Sequence, residues 1–294
     1  MATQRAATPQ PALDEAYAYC RRLAKSHYEN FTVGSLLLPR RLRPYFFAIY
    51  AFCRWTDDLG DEAEGDRLAL LDDWDAEVGQ AFGGRPTHPI AVALQDTARR
   101  FDVPQALFGK LIEANRMDQG SGRFPTYAGL LHYCDHSANP VGRMVLYLLG
   151  DRREESHRLS DATCTALQLA NFWQDVRRDY AIGRIYLPLE DMERFGYSEA
   201  ELAAGVVNAN FRALMGFEVD RAEALFKEGY ALVERLPGRF KLDVALFTKG
   251  GLSVLAAIRR QGYDVLTERP VVSGRRKAWL AASTAARMAL RRAP

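Results

Sequence analysis

Apolar residues recur every three or four positions along most of the chain, from residue 14 onward. This spacing places them on one face of a helix, and the long alternation of β-branched residues that is typical of strands is not found. Glycine and proline interrupt the pattern at residues 83–86, 118–125, 183–188 and 237–238, between segments of helical length. Residues 211–236 carry a single apolar stripe, which predicts one long helix. The pattern therefore predicts an all-α protein.

Two local signals refine this prediction. Ser198 with Glu201 three residues later forms the capping box that opens a helix. Residues 130–149 read as helical, but Asn139 and Pro140 interrupt them, because proline removes a backbone hydrogen bond. The interruption is compatible with a loop between two helices and with a kink in a helix that lines a cavity.

No internal repeat and no long linker divides the chain. Residues 1–12 lack periodicity and are expected to form a disordered lead-in. Residues 13–294 are expected to form a single domain, which their number permits.

Composition adds mainly exclusions. The 294 residues include 39 Lys and Arg against 37 Asp and Glu, and the hydrophobic fraction of 48% is that of an ordinary globular protein. Such a balance argues against disorder and against nucleic-acid binding, which needs a basic excess. The four cysteines stand far apart, as free thiols of a reducing compartment do. We therefore expect a cytoplasmic protein without a signal peptide or membrane span.

Two aspartate pairs are the first candidates for chemistry: Asp57 with Asp61, and Asp175 with Asp179. A spacing of four on a helix puts both carboxylates on one face, where they could bind a hard cation such as Mg²⁺. With 20 aspartates in the chain, this spacing alone is near chance. Both pairs, however, continue apolar helical segments, where unpaired carboxylates are rare. Solvated helix ends with local salt bridges remain the alternative.

Three stretches together resemble the squalene/phytoene synthase family of class I isoprenoid enzymes: YAFCRWTDDLGDE, HYCDHSANPVGRMV and LQLANFWQDVRRDYAIGRIYLP. The resemblance covers residues 15–270. It implies a helical bundle around a central cavity, in which two DxxxD motifs face each other and bind Mg²⁺ ions that hold a prenyl diphosphate.

The resemblance also assigns roles by position. It implies metal binding by Asp57, Asp61, Asn171, Asp175 and Asp179, with Gln168 beside them. It implies diphosphate-side or substrate contacts for Asn30, Arg54, Arg184 and Tyr186, and an aromatic lining from Phe31, Tyr50 and Tyr133. Among these residues the four aspartates, Tyr50 and Tyr186 are expected to be catalytic.

Residues 26–62 resemble the hydroxysqualene synthase branch of the family. That branch implies ionisation of presqualene diphosphate and capture of the cation by water, with Mg²⁺ and without NADPH. Compared with condensing enzymes, this chain has Tyr28-Glu29-Asn30 before Phe31, Gln174 for an arginine and Gly251 for a tyrosine. These departures weaken the case for condensation of two prenyl diphosphates. The exchange at Glu29 is equally compatible with a solvated helix face.

Two other functions stay open: a head-to-head synthase that makes presqualene diphosphate, squalene or phytoene, and a non-catalytic assembly or binding protein. We expect a monomer with a prenyl diphosphate substrate. The cationic C-terminal segment, residues 275–292, could touch the inner membrane face transiently, although docking on the core is the more ordinary role for such a segment.

Overall fold

The computed structural model describes residues 11–26, 39–236, 238 and 240–290. In these ranges the chain forms helices and turns, and no strand occurs; the one isolated β-bridge joins Arg123 and Ile185. The all-α prediction is confirmed. Most of the lead-in, residues 1–10, and the segment with Phe31 and Asn30 lie outside the described residues.

The described residues form one 3₁₀ turn and fourteen α-helices. They are α1 (Leu13–Ser26), a 3₁₀ turn (Arg40–Leu42), α2 (Arg43–Asp61), α3 (Arg67–Gly83), α4 (Pro89–Phe101), α5 (Gln105–Met117), α6 (Tyr127–Ser137), α7 (Asn139–Leu148), α8 (Glu154–Ala181), α9 (Leu189–Arg194), α10 (Glu199–Ala203), α11 (Ala209–Gly229), α12 (Leu232–Arg235), α13 (Phe240–Arg260) and α14 (Gly274–Leu290).

Side chains at the helix starts explain several of these boundaries. Asp66, Thr126 and Asn208 each accept a hydrogen bond from a backbone N–H in the first turn of α3, α6 and α11. The capping box of Ser198 and Glu201 is present at the start of α10, as predicted.

Two expectations about helix length need adjustment. Residues 211–236 are divided between α11 and α12 by a turn at Tyr230 and Ala231, so they do not form one helix. The interruption near Pro140 is a break of a single residue, Ala138, between α6 and α7. Pro140 then stands in the first turn of α7, where its missing N–H costs little.

The chain groups into two compact units. The first contains the described residues up to 119 together with 143–152, and the second contains 120–142 and the described residues from 153 on. The single-domain organisation of residues 13–294 stays a prediction.

In the first unit, α2 buries one face and leaves the other accessible. Phe46, Ile49 and Phe52 are buried, and Phe52 contacts the rings of Trp74 and Phe108. The indole N–H of Trp74 donates to the buried hydroxyl of Thr56 over 2.9 Å. This packing fixes the rotation of α2 and with it the direction of its accessible face.

In the second unit, the 28-residue helix α8 is the central element and packs mainly against α11. Trp173 of α8 and Phe211 and Phe226 of α11 are fully buried. Among the described helices, none is both long and apolar enough to span a membrane.

Candidate active site

The accessible face of α2 carries the first set of candidate residues. Tyr50, Arg54, Asp57 and Asp61 recur at intervals of three or four residues, and none of them is buried. The structure therefore brings these four predicted residues onto one stripe of one helix.

Asp57 has a partner from another helix. The side-chain amide of Asn115, on α5, donates to Oδ1 of Asp57 over 3.3 Å. Desolvation raises the pKa of Asp57 to about 6, the charge of Asp61 adds to this shift, and the Asn115 amide opposes it. Asp57 itself is exposed, so solvent moderates the effect.

Arg54 forms ion pairs with acidic residues of its own segment. Its guanidinium pairs with Asp58 and lies 2.6 Å from Glu62, within its own helix and the residue that follows it. Asp58 and Glu62 are therefore the acidic groups that hold this cation in the structure, and a diphosphate contact by Arg54 stays a prediction.

The second stripe lies on α8. Gln168, Asn171, Asp175 and Asp179 follow one another at intervals of three or four residues, and none of the four is buried, whereas half of the 28 residues of this helix are. The structure therefore brings these four predicted residues onto one accessible stripe of a single long helix.

Asp175 binds an arginine that the sequence did not indicate. Arg269 contacts its carboxylate with two nitrogens, at 2.5 Å and 2.8 Å, and also donates to Gln174 over 3.1 Å. Gln174 is buried and donates to the carbonyl of Pro270. The two residues together anchor the segment after α13 to α8.

Asp179 is the last acidic residue of this stripe. Burial raises its pKa to about 7, and the charge of Asp175 adds to the shift, while Arg184, Arg178 and Arg269 oppose it. Its buried Oδ2 has no hydrogen-bond partner. A carboxylate held in this way is a candidate ligand for a cation.

A tight turn after α8 brings Arg184 and Tyr186 beside Asp179. Gly183 has a φ of +83°, and the backbone N–H of Arg184 returns to the carbonyl of Asp179 over 2.8 Å. Asp179, Arg184 and Tyr186 line one small cavity of about 10 Å³, which is close to the size of one water molecule.

Aromatic rings pack around Tyr186. Its ring stacks on that of Phe172 with centroids 3.7 Å apart and an interplanar angle of 7°, and Tyr133 lies 5.9 Å away. Phe124 completes the group at 5.5 Å. Such faces attract a cation. Tyr133 and Tyr186 thus meet in one aromatic cluster.

The acidic side chains of the site could bind a cation in twos and not in larger clusters. Within the described residues, no cluster of three or more His, Cys, Asp or Glu side chains has metal-binding geometry. Mg²⁺ usually takes one or two carboxylates and completes its shell with water and phosphate oxygens. Asp57 with Asp61 and the unpartnered Oδ2 of Asp179 fit that pattern, whereas both oxygens of Asp175 are held by Arg269 in this structure.

Asn115 and Arg269 were not predicted. Asn115 does leave a trace in the sequence, because it is a polar residue in the stripe formed by Phe108, Leu111 and Ile112. Arg269 leaves none, since it lies 94 residues from Asp175.

Comparison with known proteins identifies the family. The model of the squalene/phytoene synthase family matches residues 10–276. The 15-cis-phytoene synthase of Synechococcus elongatus is 34% identical over 280 residues, which are 90% of this chain and 91% of that protein. The phytoene synthase of Thermus thermophilus is 36% identical, covering 88% and 87%.

Two solved structures share the fold. The squalene synthase HpnC from Alicyclobacillus acidocaldarius is 50% identical with a TM-score of 0.83, covering 85% of this chain and 95% of that one. A dehydrosqualene synthase in complex with ligand is 28% identical with a TM-score of 0.84, covering 94% and 98%. The chain therefore has the all-α fold of these isoprenoid enzymes and belongs to the squalene/phytoene synthase family.

Proposed function

We propose that this protein is a hydroxysqualene synthase, which converts presqualene diphosphate and water to hydroxysqualene and diphosphate. Its relatives are synthases of squalene, dehydrosqualene and phytoene, which supports the wider class of head-to-head prenyl synthases. The narrower assignment rests on the residues next to the second aspartate pair.

The observation that supports the narrower assignment is the residue at position 174. Gln174 stands where an arginine is expected in condensing relatives. Its neutral amide is buried, with its nitrogen directed to Pro270 and its oxygen to Arg269. The position therefore offers no charge to a diphosphate. A condensing enzyme must bind two diphosphate groups, whereas presqualene diphosphate carries only one. The absence of a cationic side chain at position 174 therefore suits an enzyme that binds presqualene diphosphate.

The four motif aspartates are assigned to Mg²⁺, with Asn171 beside the second pair. When bound, the metal would offset the charge that develops on the departing diphosphate. Arg184 is the side chain beside Asp179 that could contact the same anion, because it lines the same cavity.

The reaction breaks the C–O bond to diphosphate and leaves a cyclopropylcarbinyl cation. The aromatic-lining role that the family resemblance implies is proposed for Tyr133, whose electron-rich face would stabilise the rearranging cation by about 1 kcal/mol or more in a dry site. The cyclopropane ring opens as the cation rearranges, water forms the new C–O bond to the resulting cation, and the proton of that water passes to the released diphosphate. No hydride is transferred, so NADPH has no part in the proposal.

We further propose that the enzyme acts in the cytoplasm as a monomer and meets the membrane only at its surface. Trp279 near the start of α14 is exposed, and the guanidinium of Arg276 lies 4.7 Å from the centre of its ring. A cation beside an exposed indole suits the interface of an anionic bilayer.

A product assay with Mg²⁺ tests the assignment, using presqualene diphosphate and farnesyl diphosphate separately, each with and without NADPH. We expect hydroxysqualene from presqualene diphosphate, in equal yield in both arms. A product from farnesyl diphosphate would instead place the protein among the condensing synthases. The absence of any product, with folded protein, would favour the binding-protein alternative.

A further inference from the structure

We infer that Asn115 is a positioning residue that holds the carboxylate of Asp57 in the orientation needed to bind a cation. The inference rests on the proposed function, because it assumes that Asp57 is a metal ligand. Asn115 does not itself face the substrate, since it is only 7% exposed.

The Asn115 side chain bridges two acceptors. Its Nδ2 lies 3.3 Å from Oδ1 of Asp57 and 3.1 Å from the carbonyl oxygen of Leu111, one turn earlier in α5. A carboxylate and a carbonyl can only accept, so the NH₂ end of the amide must occupy this position. The two N–H bonds of the Asn115 amide therefore point to these two acceptors, which fixes the orientation of the amide.

The other end of the amide lies over Gly60. A Cβ atom at residue 60 would overlap Oδ1 of Asn115, and the backbone of Gly60 is helical. Glycine is therefore required at this position for close approach and not for its conformational freedom. Because Gly60 lies between Asp57 and Asp61 in sequence, the contact seats the last turn of α2 against α5.

Gln119 reinforces the same contact. Its amide donates to the carbonyl of Gly60 over 3.0 Å and to that of Asn115 over 3.0 Å. The last carbonyls of a helix lack partners within the helix, and its end tends to fray. Residues after α5 therefore hold the terminal turn of α2, where Asp61 is the last residue.

The electrostatic consequence concerns the pair as a whole. Two carboxylates one turn apart repel each other, which favours side-chain rotamers that separate them. An amide hydrogen directed at Oδ1 of Asp57 offsets part of that repulsion and leaves the other oxygen available. Partners of this kind typically change metal affinity by about 10- to 100-fold when they are removed.

The test measures cation binding without turnover. Mn²⁺ binding is measured by calorimetry in the presence of inorganic diphosphate for the wild type, Asn115→Leu, Asn115→Ala and Asp57→Asn. Leucine has a volume similar to that of asparagine and cannot donate a hydrogen bond. The Asn115→Ala variant is used if the Asn115→Leu variant does not fold. Thr97→Val is the matched control, because it removes another buried hydrogen-bonding group of the first unit that does not contact Asp57.

We expect the Asn115 variants to bind Mn²⁺ at least tenfold more weakly, with Thr97→Val within twofold of the wild type at a similar loss of thermal stability. Affinity within twofold of the wild type in the Asn115 variants, with binding weakened in Asp57→Asn, would overturn the inference alone. Wild-type affinity in Asp57→Asn would overturn the metal role of Asp57 and the inference together.

Discussion

Arg269 neutralises Asp175 across a wide separation in sequence. The guanidinium meets the carboxylate with two nitrogens, a geometry that lysine cannot reproduce. Asp175 is largely enclosed, with 12% of its side chain exposed, whereas Arg269 is one-third exposed. The pair therefore places a protein cation where the proposed function assigns a metal ion.

We predict that Arg269→Met lowers the free energy of unfolding of the metal-free protein by about 1.5–3 kcal/mol, the range for hydrogen bonds to charged groups. Mg²⁺ with diphosphate should reduce the difference in free energy of unfolding between the variant and the wild type. The bound cation would replace the positive charge of Arg269 beside Asp175 and would stabilise the folded variant by mass action. Denaturant unfolding with and without Mg²⁺ measures both effects.

Arg178→Met is the control for that experiment. The side chain of Arg178 is 69% exposed, and its guanidinium lies 3.7 Å from Asp175. Removal of this guanidinium should therefore change the free energy of unfolding by less than about 0.5 kcal/mol. An equal loss in Arg269→Met with and without Mg²⁺ would argue that Asp175 does not bind the metal.

Among the helices, α13 contains two adjacent glycines, one of which is tightly packed against another helix while the other faces open space. A Cβ atom on Gly251 would overlap the ring of Phe226 on α11, whereas a Cβ atom on Gly250 would meet no atom within 4 Å. The position where relatives were expected to carry a tyrosine is thus filled by a neighbouring aromatic ring. Glycine at 251 serves the contact between α11 and α13.

Alanine substitutions should separate the two positions. We predict that Gly251→Ala lowers the free energy of unfolding by about 1–3 kcal/mol through overpacking. Gly250→Ala should raise it by up to about 1 kcal/mol, because alanine favours the helix and has room. Thermal or denaturant unfolding of both variants gives the sign, and two changes of the same sign would contradict the packing described.

At the scale of the whole molecule, a buried charge cluster joins three helices of the second unit. Glu218 of α11 is fully buried, and Arg221 lies 3.2 Å from it and 2.6 Å from Asp191 of α9. The guanidinium of Arg221 also lies 4.1 Å from the ring centre of Tyr127 of α6. One arginine thus faces two carboxylates, which favours the protonated form of the fully buried Glu218.

Desolvation raises the pKa of Glu218 from 4.5 to about 8; the nearby charge of Asp191 adds to the shift, and Arg221 opposes it. Between about pH 4.5 and 8 the folded protein therefore keeps a proton that the unfolded chain releases. The free energy of unfolding should fall as pH rises through this window and level off above it.

We predict that Glu218→Gln flattens this decline and is more stable than the wild type near pH 8. The change in slope should not exceed about 1.4 kcal/mol per pH unit, the limit for one proton. Denaturant unfolding at pH 5, 6, 7 and 8 measures the slopes. Glu193→Gln on the exposed side of α9 is the control, and parallel slopes for Glu218→Gln and the wild type would refute the prediction.

The sequence alone determined the helical class, the two stripes that carry the aspartate pairs and the family. These properties follow from spacing, because a separation of three or four residues has a fixed geometry within any helix. Asp57 with Asp61 and Asp175 with Asp179 therefore lie on single faces, as the pattern predicted.

The groups that surround those carboxylates are set by packing between segments that are distant in sequence. Asn115 meets Asp57 across 58 positions and Arg269 meets Asp175 across 94, and these contacts depend on how helices and loops pack. The stack of Phe172 on Tyr186 likewise depends on the turn at Gly183. Periodicity gives the face of a helix, but the partner on that face is set by packing between distant segments, which sequence spacing does not encode.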